Sequence, residues 1–93
     1  MIRSFRDKAS EAIWRGRYVK GLDRQLQRTV LRKLEMMDAA AVLVDLRVPP
    51  GNRLEQLSGD RSGQYSIRVN RQWRICFNWT TGGVEDVELT DYH

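Results

Sequence analysis

The sequence is poor in the residues that form disulfide bonds and metal sites. Among 93 residues it has one cysteine, Cys76, and one histidine, His93. A single cysteine excludes an internal disulfide bond, and this usage is typical of proteins in a reducing cytosol. One cysteine and one histidine cannot supply the four nitrogen or sulfur ligands of a zinc site. We therefore expect no bound metal and a cytoplasmic protein.

Long apolar runs are also missing. No run approaches the ~18 residues that a membrane-spanning helix needs. The first ten residues, MIRSFRDKAS, lack the apolar stretch of a signal peptide. There is no internal repeat, and a chain of 93 residues predicts a single domain over residues 1–93.

The chain carries an excess of positive charge. There are 16 lysines and arginines against 12 acidic residues, which gives a net charge of +4. Arginines far outnumber lysines, and arginine makes planar, bidentate contacts to phosphate and stacks on bases. This balance favours a polyanionic partner such as nucleic acid.

The N-terminal half predicts two helices. MIRSF is a possible short strand, and RDKASEAIWRG has helical spacing that ends at Gly16. Asp23 is a candidate N-cap for a longer helix. Its apolar stripe recurs every three or four residues, at Leu26, Val30, Leu34, Met37 and Ala41. Pro49 and Pro50 end the helical half.

The C-terminal half predicts antiparallel strands. QYSIRV and WRICFNW both alternate between apolar and polar residues, and NRQ between them is a plausible hairpin loop. A register that keeps the apolar faces together pairs Ile67 with Ile75 and Tyr65 with Phe77. It also places Arg68 opposite Arg74, a like-charge pair that is either well solvated or shares an anion.

A further strand, VEDVEL, can pair with WRICFNW, and RLEQL is another possible short strand. Matching the apolar faces places Phe77 opposite Val87, Ile75 opposite Leu89, and Thr90 opposite Arg74. Tyr92 then continues the polar face, so we expect an open sheet face that carries Arg68, Arg74 and Tyr92, flanked by Asp91 and His93.

These residue types fit the cleavage of RNA. Cleavage needs a base for the proton of the 2′-hydroxyl, a cation for the phosphate and an acid for the leaving 5′-oxygen. Arginine can supply the cation, and histidine, carboxylate or phenol the acid and base. The residues alone leave two readings open: an RNA-cleaving enzyme and a basic RNA-binding module whose C-terminal histidine is an exposed end.

The stretch LSGDRSGQYSIRVNRQWRICFNW, together with the terminal DYH, resembles the HigB toxins, or plasmid-maintenance killer proteins, of the RelE superfamily. MIRSFRDK and KLEMMDAAAVLVDLRVPPGNRLEQLSG also resemble this family, especially its GraT-like branch. The resemblance covers nearly the whole chain. It implies an α+β, RelE-like fold, with a small antiparallel sheet and two N-terminal helices packed on one face.

The resemblance also implies a function. It predicts the toxin of a type II toxin–antitoxin system that enters the ribosomal A site and cleaves mRNA without a metal or other cofactor. The implied partner is a HigA-type antitoxin with a helix-turn-helix, through which the complex binds operator DNA. The alternatives are a module that blocks translation by occupancy and a co-repressor partner of the antitoxin.

The family's site residues carry over to positions of this chain. The resemblance makes Arg74 the phosphate-stabilising arginine, and makes Asp91, Tyr92 and His93 the terminal catalytic group. Better-known relatives have a histidine and a lysine before the G-D-R motif, where this chain has Glu55 and Ser58. The general base is then Glu55, Asp91 or His93. The resemblance implies that Arg61 and Arg68 support substrate binding, and the positive charge predicts Arg53 and Arg71 as further RNA-binding residues.

Overall fold

Two helices precede a sheet in the computed structural model, which describes residues 1–59 and 63–91. The helices are α1 (Lys8–Trp14) and α2 (Arg24–Ala39), followed by two short 3-10 helices over Leu43–Arg47 and Pro50–Asn52. The strands are β1 (Glu55–Gln56), β2 (Gln64–Arg68), β3 (Trp73–Thr80) and β4 (Gly83–Asp91). Within these residues no helix is both long and apolar enough to cross a membrane.

Helix α2 begins where the sequence predicts. The Asp23 carboxylate accepts a hydrogen bond from the Leu26 main-chain N–H at 3.0 Å, which satisfies one of the unpaired donors of the first turn. The predicted stripe is buried as far as Met37. Ala41 was expected to extend the stripe, but the helix ends at Ala39 and Ala41 is exposed. The Asp45 carboxylate accepts the N–H of Ala41 instead, which holds the chain in a new turn.

Over the described part of the chain, the sheet has four antiparallel strands in the order β1-β2-β3-β4. The predicted register of β2 and β3 is confirmed, including Arg68 opposite Arg74 and Ile67 opposite Ile75. In the hairpin loop, the Asn70 side chain accepts the N–H groups of Gln72 and Trp73. This Asx geometry fixes the loop without glycine.

The pairing of β3 with β4 contains a bulge. Thr90 lies opposite Arg74 as predicted, but the register shifts between Cys76 and Asn78. Asp86 is the extra residue on β4, with a φ of 54°, and its carboxylate accepts from the Asn78 amide at 2.8 Å. The bulge falls where Phe77 was predicted to face Val87, so these two do not form a ladder pair.

The segment MIRSF is not a regular strand. Ile2 and Phe5 form isolated parallel bridges to Val84 and Val87 of β4. The chain then turns into α1, which leaves no room for a continuous ladder. These bridges cover the outer edge of β4, which would otherwise present unpaired main-chain groups.

The core lies between the helices and one face of the sheet. Val30, Leu34 and Met37 of α2 join Ile67 and Ile75 of the sheet in one fully buried cluster. The predicted α+β architecture, with two helices on one face, is confirmed. The opposite sheet face carries Ser66, Arg74 and Cys76, because side chains alternate along a strand.

Candidate active site

Arg74 is held in a fixed position on the face of the sheet that lies away from the helices. Its Nε donates to the Ser66 hydroxyl at 2.8 Å, and its Nη2 donates to the Arg53 carbonyl oxygen at 2.7 Å and to the Ser66 carbonyl oxygen at 3.3 Å. Arg74 is 7% exposed and Ser66 is fully buried. Hydrogen bonds from a charged donor to buried oxygens fix the plane of the guanidinium.

This face was predicted to be open, and around Arg74 that prediction is wrong. Ser66 and Cys76 are as buried as the apolar core. The Arg74 side chain lies against Ser66, and the Thr90 hydroxyl contacts the Cys76 sulfur at 3.4 Å. A buried guanidinium needs several acceptors to offset its lost hydration, and the neighbouring strand and the turn before β1 supply them.

Glu55 is brought next to Arg74. It begins β1 directly opposite Ser66, and its Oε1 lies 3.8 Å from Arg74 Nη2. The Glu55 side chain is 55% exposed, so water reaches one side of this ion pair. A carboxylate next to a guanidinium, at a solvent boundary, has the composition of a base paired with a phosphate-binding cation.

The predicted RNA-binding arginines are partly assembled here. Arg68 lies beside Arg74 in the register and is half-buried. Within residues 1–59 and 63–91 its side chain has no hydrogen bond or ion pair. Arg53 and Arg71 are exposed, Arg53 before β1 and Arg71 in the β2–β3 loop. Arg61 lies outside the described residues.

Of the predicted terminal group, the structure describes Asp91. Asp91 lies in β4 opposite Trp73, and its carboxylate accepts from the Gln72 amide at 3.1 Å. Because Thr90 faces Arg74, alternation places Asp91 on the opposite face of the sheet. Asp91 was expected on a mobile terminus, but it is the last residue of β4 and is paired in the sheet. Tyr92 and His93 lie outside the described residues.

Two groups in this arrangement were missed by reasoning from sequence. Ser66 is the diagonal cross-strand neighbour of Arg74, so the predicted register contained a signal for their contact. The Arg53 carbonyl carried none, because its position depends on a left-handed main-chain conformation at φ 44° and ψ 58°.

Comparison with known proteins identifies the family of this chain. Residues 3–93 match the family model described as the RelE-like toxin of the type II toxin–antitoxin system HigB. The chain belongs to the HigB-like toxin family.

Similar proteins agree with this membership. The chain is 41% identical to "Toxin HigB-1" of Vibrio cholerae over 83 residues, which cover 88% of this chain and 87% of that protein. It is 30% identical to "Endoribonuclease HigB" of Proteus vulgaris over the full length of both. As a HigB-like toxin the chain is the toxin of a type II system, which pairs with an antitoxin.

A solved structure shows the same fold. A chain from the "YoeB-YefM complex from Staphylococcus aureus" superposes with a TM-score of 0.65 at 14% identity, covering 100% of this HigB-like toxin and 98% of that chain. At that level of identity the likeness concerns the fold.

Proposed function

We propose that this HigB-like toxin is a ribosome-dependent endoribonuclease that cleaves mRNA in the A site and thereby inhibits translation. The observation that carries the proposal is the fixed Arg74 guanidinium with the Glu55 carboxylate 3.8 Å from it. The name of the Proteus vulgaris relative, an endoribonuclease, supports the same activity.

The proposed chemistry is an attack of the 2′-oxygen on the adjacent phosphorus. A base removes the 2′-hydroxyl proton, the new P–O2′ bond forms, and the P–O5′ bond breaks. An acid then protonates the leaving 5′-oxygen. The products are a 2′,3′-cyclic phosphate and a 5′-hydroxyl, and the chemistry requires no metal or other cofactor.

Arg74 would stabilise the charge that develops on the phosphate oxygens. Donors that are already fixed need no reorganisation during the reaction, and one such donor is worth about 10²- to 10³-fold in rate. Glu55 is the favoured base, because its Oε1 lies 3.8 Å from Arg74 Nη2. Asp91, Tyr92 and His93 remain the predicted source of the acid.

The protein would bind its RNA substrate mainly through electrostatic contacts. Arg53, Arg61, Arg68 and Arg71 are proposed to contact the phosphates of mRNA and ribosomal RNA, since phosphate contacts supply most sequence-independent affinity. The proposed antitoxin is of the HigA type, with a helix-turn-helix that carries the complex to operator DNA. Action on ribosomes would take place in the cytoplasm.

One observation favours a second candidate, translation block by occupancy. Arg74 Nε and Nη2 already donate to protein oxygens, as expected of an arginine that stabilises the fold. Such a protein would bind the ribosome through its basic surface and leave the mRNA intact.

The experiment that separates the two uses purified ribosomes stalled on a labelled mRNA. The wild-type protein should yield fragments that end in a 2′,3′-cyclic phosphate and a 5′-hydroxyl. Arg74→Ala should bind these ribosomes but cleave at least about 100-fold more slowly. Arg32→Ala, which removes an equal charge from an exposed position of α2, is the matched control and should cleave normally. Inhibition with intact mRNA would establish occupancy instead.

A further inference from the structure

The turn before β1 contains a conformation that ordinary side chains rarely adopt. Arg53 has a φ of 44° and a ψ of 58°, in the left-handed region. Residues other than glycine that occupy this region are held there by their surroundings, and such positions cluster at functional sites. Here the consequence is specific, since the Arg53 carbonyl oxygen lies 2.7 Å from Arg74 Nη2.

Asn52 anchors this turn in the interior. It is fully buried, and its amide nitrogen donates to the carbonyl oxygens of Leu46 at 3.1 Å and Val48 at 3.4 Å. Its amide oxygen accepts from the Lys33 ammonium of α2. The main-chain N–H of Asn52 donates to Pro49 and closes the short 3-10 helix. Asn52 thus connects α2 with the 3-10 segment immediately before Arg53.

We propose that Arg53 acts through its main chain as a positioning group for Arg74, and that Asn52 holds that main chain in place. The inference rests on the proposed cleavage activity and adds the element that sets the orientation of its phosphate-binding arginine. A misplacement of about 1 Å in a reacting constellation costs roughly 100-fold in rate. A carbonyl fixed by a buried asparagine limits such misplacement.

The test compares substitutions that all remove the Arg53 guanidinium but differ in their tolerance of a positive φ. Glycine adopts it freely, alanine with difficulty, and the β-branched valine least. Any binding role of the Arg53 side chain is lost equally in Arg53→Gly, Arg53→Ala and Arg53→Val, so KM on stalled ribosomes should rise to a similar extent in all three. The kcat of Arg53→Val should then lie about 10-fold or more below that of Arg53→Gly.

Arg53→Ala keeps the comparison decisive if Arg53→Val does not fold, because its kcat should lie below that of Arg53→Gly. Equal kcat values in the folded variants would overturn the proposal, whether all fall together or none falls.

A second measurement does not depend on cleavage. Side-chain NMR of the free protein reports how fast the Arg74 N–H protons exchange with water, and exchange should be faster in Arg53→Val or Arg53→Ala than in Arg53→Gly. If no variant or wild-type protein cleaves RNA, this comparison still decides whether the Arg53 main chain fixes Arg74. Identical exchange rates in all variants would refute the positioning role.

Discussion

Ser66→Ala removes one atom from the centre of the site. The Ser66 hydroxyl accepts from Arg74 Nε at 2.8 Å in a fully buried position. A hydrogen bond to a charged group contributes about 1.5–3 kcal/mol, and its loss leaves a buried donor without that acceptor. Small domains have stabilities of about 5–15 kcal/mol, so the variant should remain folded.

The expected effect on cleavage follows from the same magnitude. If Ser66 holds Arg74 in its reactive orientation, about 1.5–3 kcal/mol of the lost interaction corresponds to a decrease in kcat of roughly 10- to 100-fold. The assay is single-turnover cleavage of labelled mRNA on stalled ribosomes, together with urea unfolding of the free protein. Ribosome affinity should change little, because the charge is retained.

Ser10→Ala is the matched control. Ser10 is also fully buried, and its hydroxyl bonds the Asp7 carboxylate and the Val87 carbonyl oxygen, on the helix side of the sheet. It should lose stability on the same scale as Ser66→Ala but cleave at the wild-type rate. Wild-type kcat in folded Ser66→Ala, or an equal loss in Ser10→Ala, would refute the role assigned to Ser66.

Three further predictions concern the rest of the molecule. Gly83→Ala should lower the free energy of unfolding by about 1–3 kcal/mol in urea titrations, because Gly83 has a φ of +137° and a Cβ there would lie 2.5 Å from the Met1 carbonyl oxygen. In the control Gly82→Ala the new Cβ meets nothing closer than 3.7 Å, so the free energy of unfolding should hardly change. Deleting Tyr92 and His93 should leave antitoxin binding intact and slow cleavage by about 100-fold or more, and an undiminished rate would remove both from the site. Burial, and secondarily the charge of Arg32, lower the pKa of Lys33 in the folded protein. Between the folded and unfolded pKa values the unfolded chain therefore binds more protons, so the stability of the wild-type protein should rise with pH across that alkaline window. A similar rise in Lys33→Met would disprove the assignment to Lys33.

Reasoning from sequence succeeded where one physical rule governs the outcome. The Arg68–Arg74 and Arg74–Thr90 pairings follow from two-residue alternation, since a one-residue slip would expose the whole core face. The start of α2 follows from the capping chemistry of Asp23. It failed at the bulge, although two consecutive polar residues, Glu85 and Asp86, interrupt the alternation between the buried Val84 and Val87.

The sequence predicted which residues belong to the candidate site better than it predicted how they are arranged. Arg74 and Glu55 were named from sequence, and the structure places them together. The burial of Arg74 was missed because it depends on oxygens from Ser66 and from the Arg53 main chain. Main-chain positions come from the whole fold and cannot be read from residue types.

The central claim is that this toxin cuts mRNA on the ribosome by means of Arg74. The most direct test maps the 5′ ends of ribosome-bound mRNA after induction in cells. The wild-type protein should create new 5′-hydroxyl ends within the A-site codon, and Arg74→Ala, expressed and folded at the same level, should create at least about 100-fold fewer. Translation arrest without new ends, or the same ends from Arg74→Ala, would contradict the account.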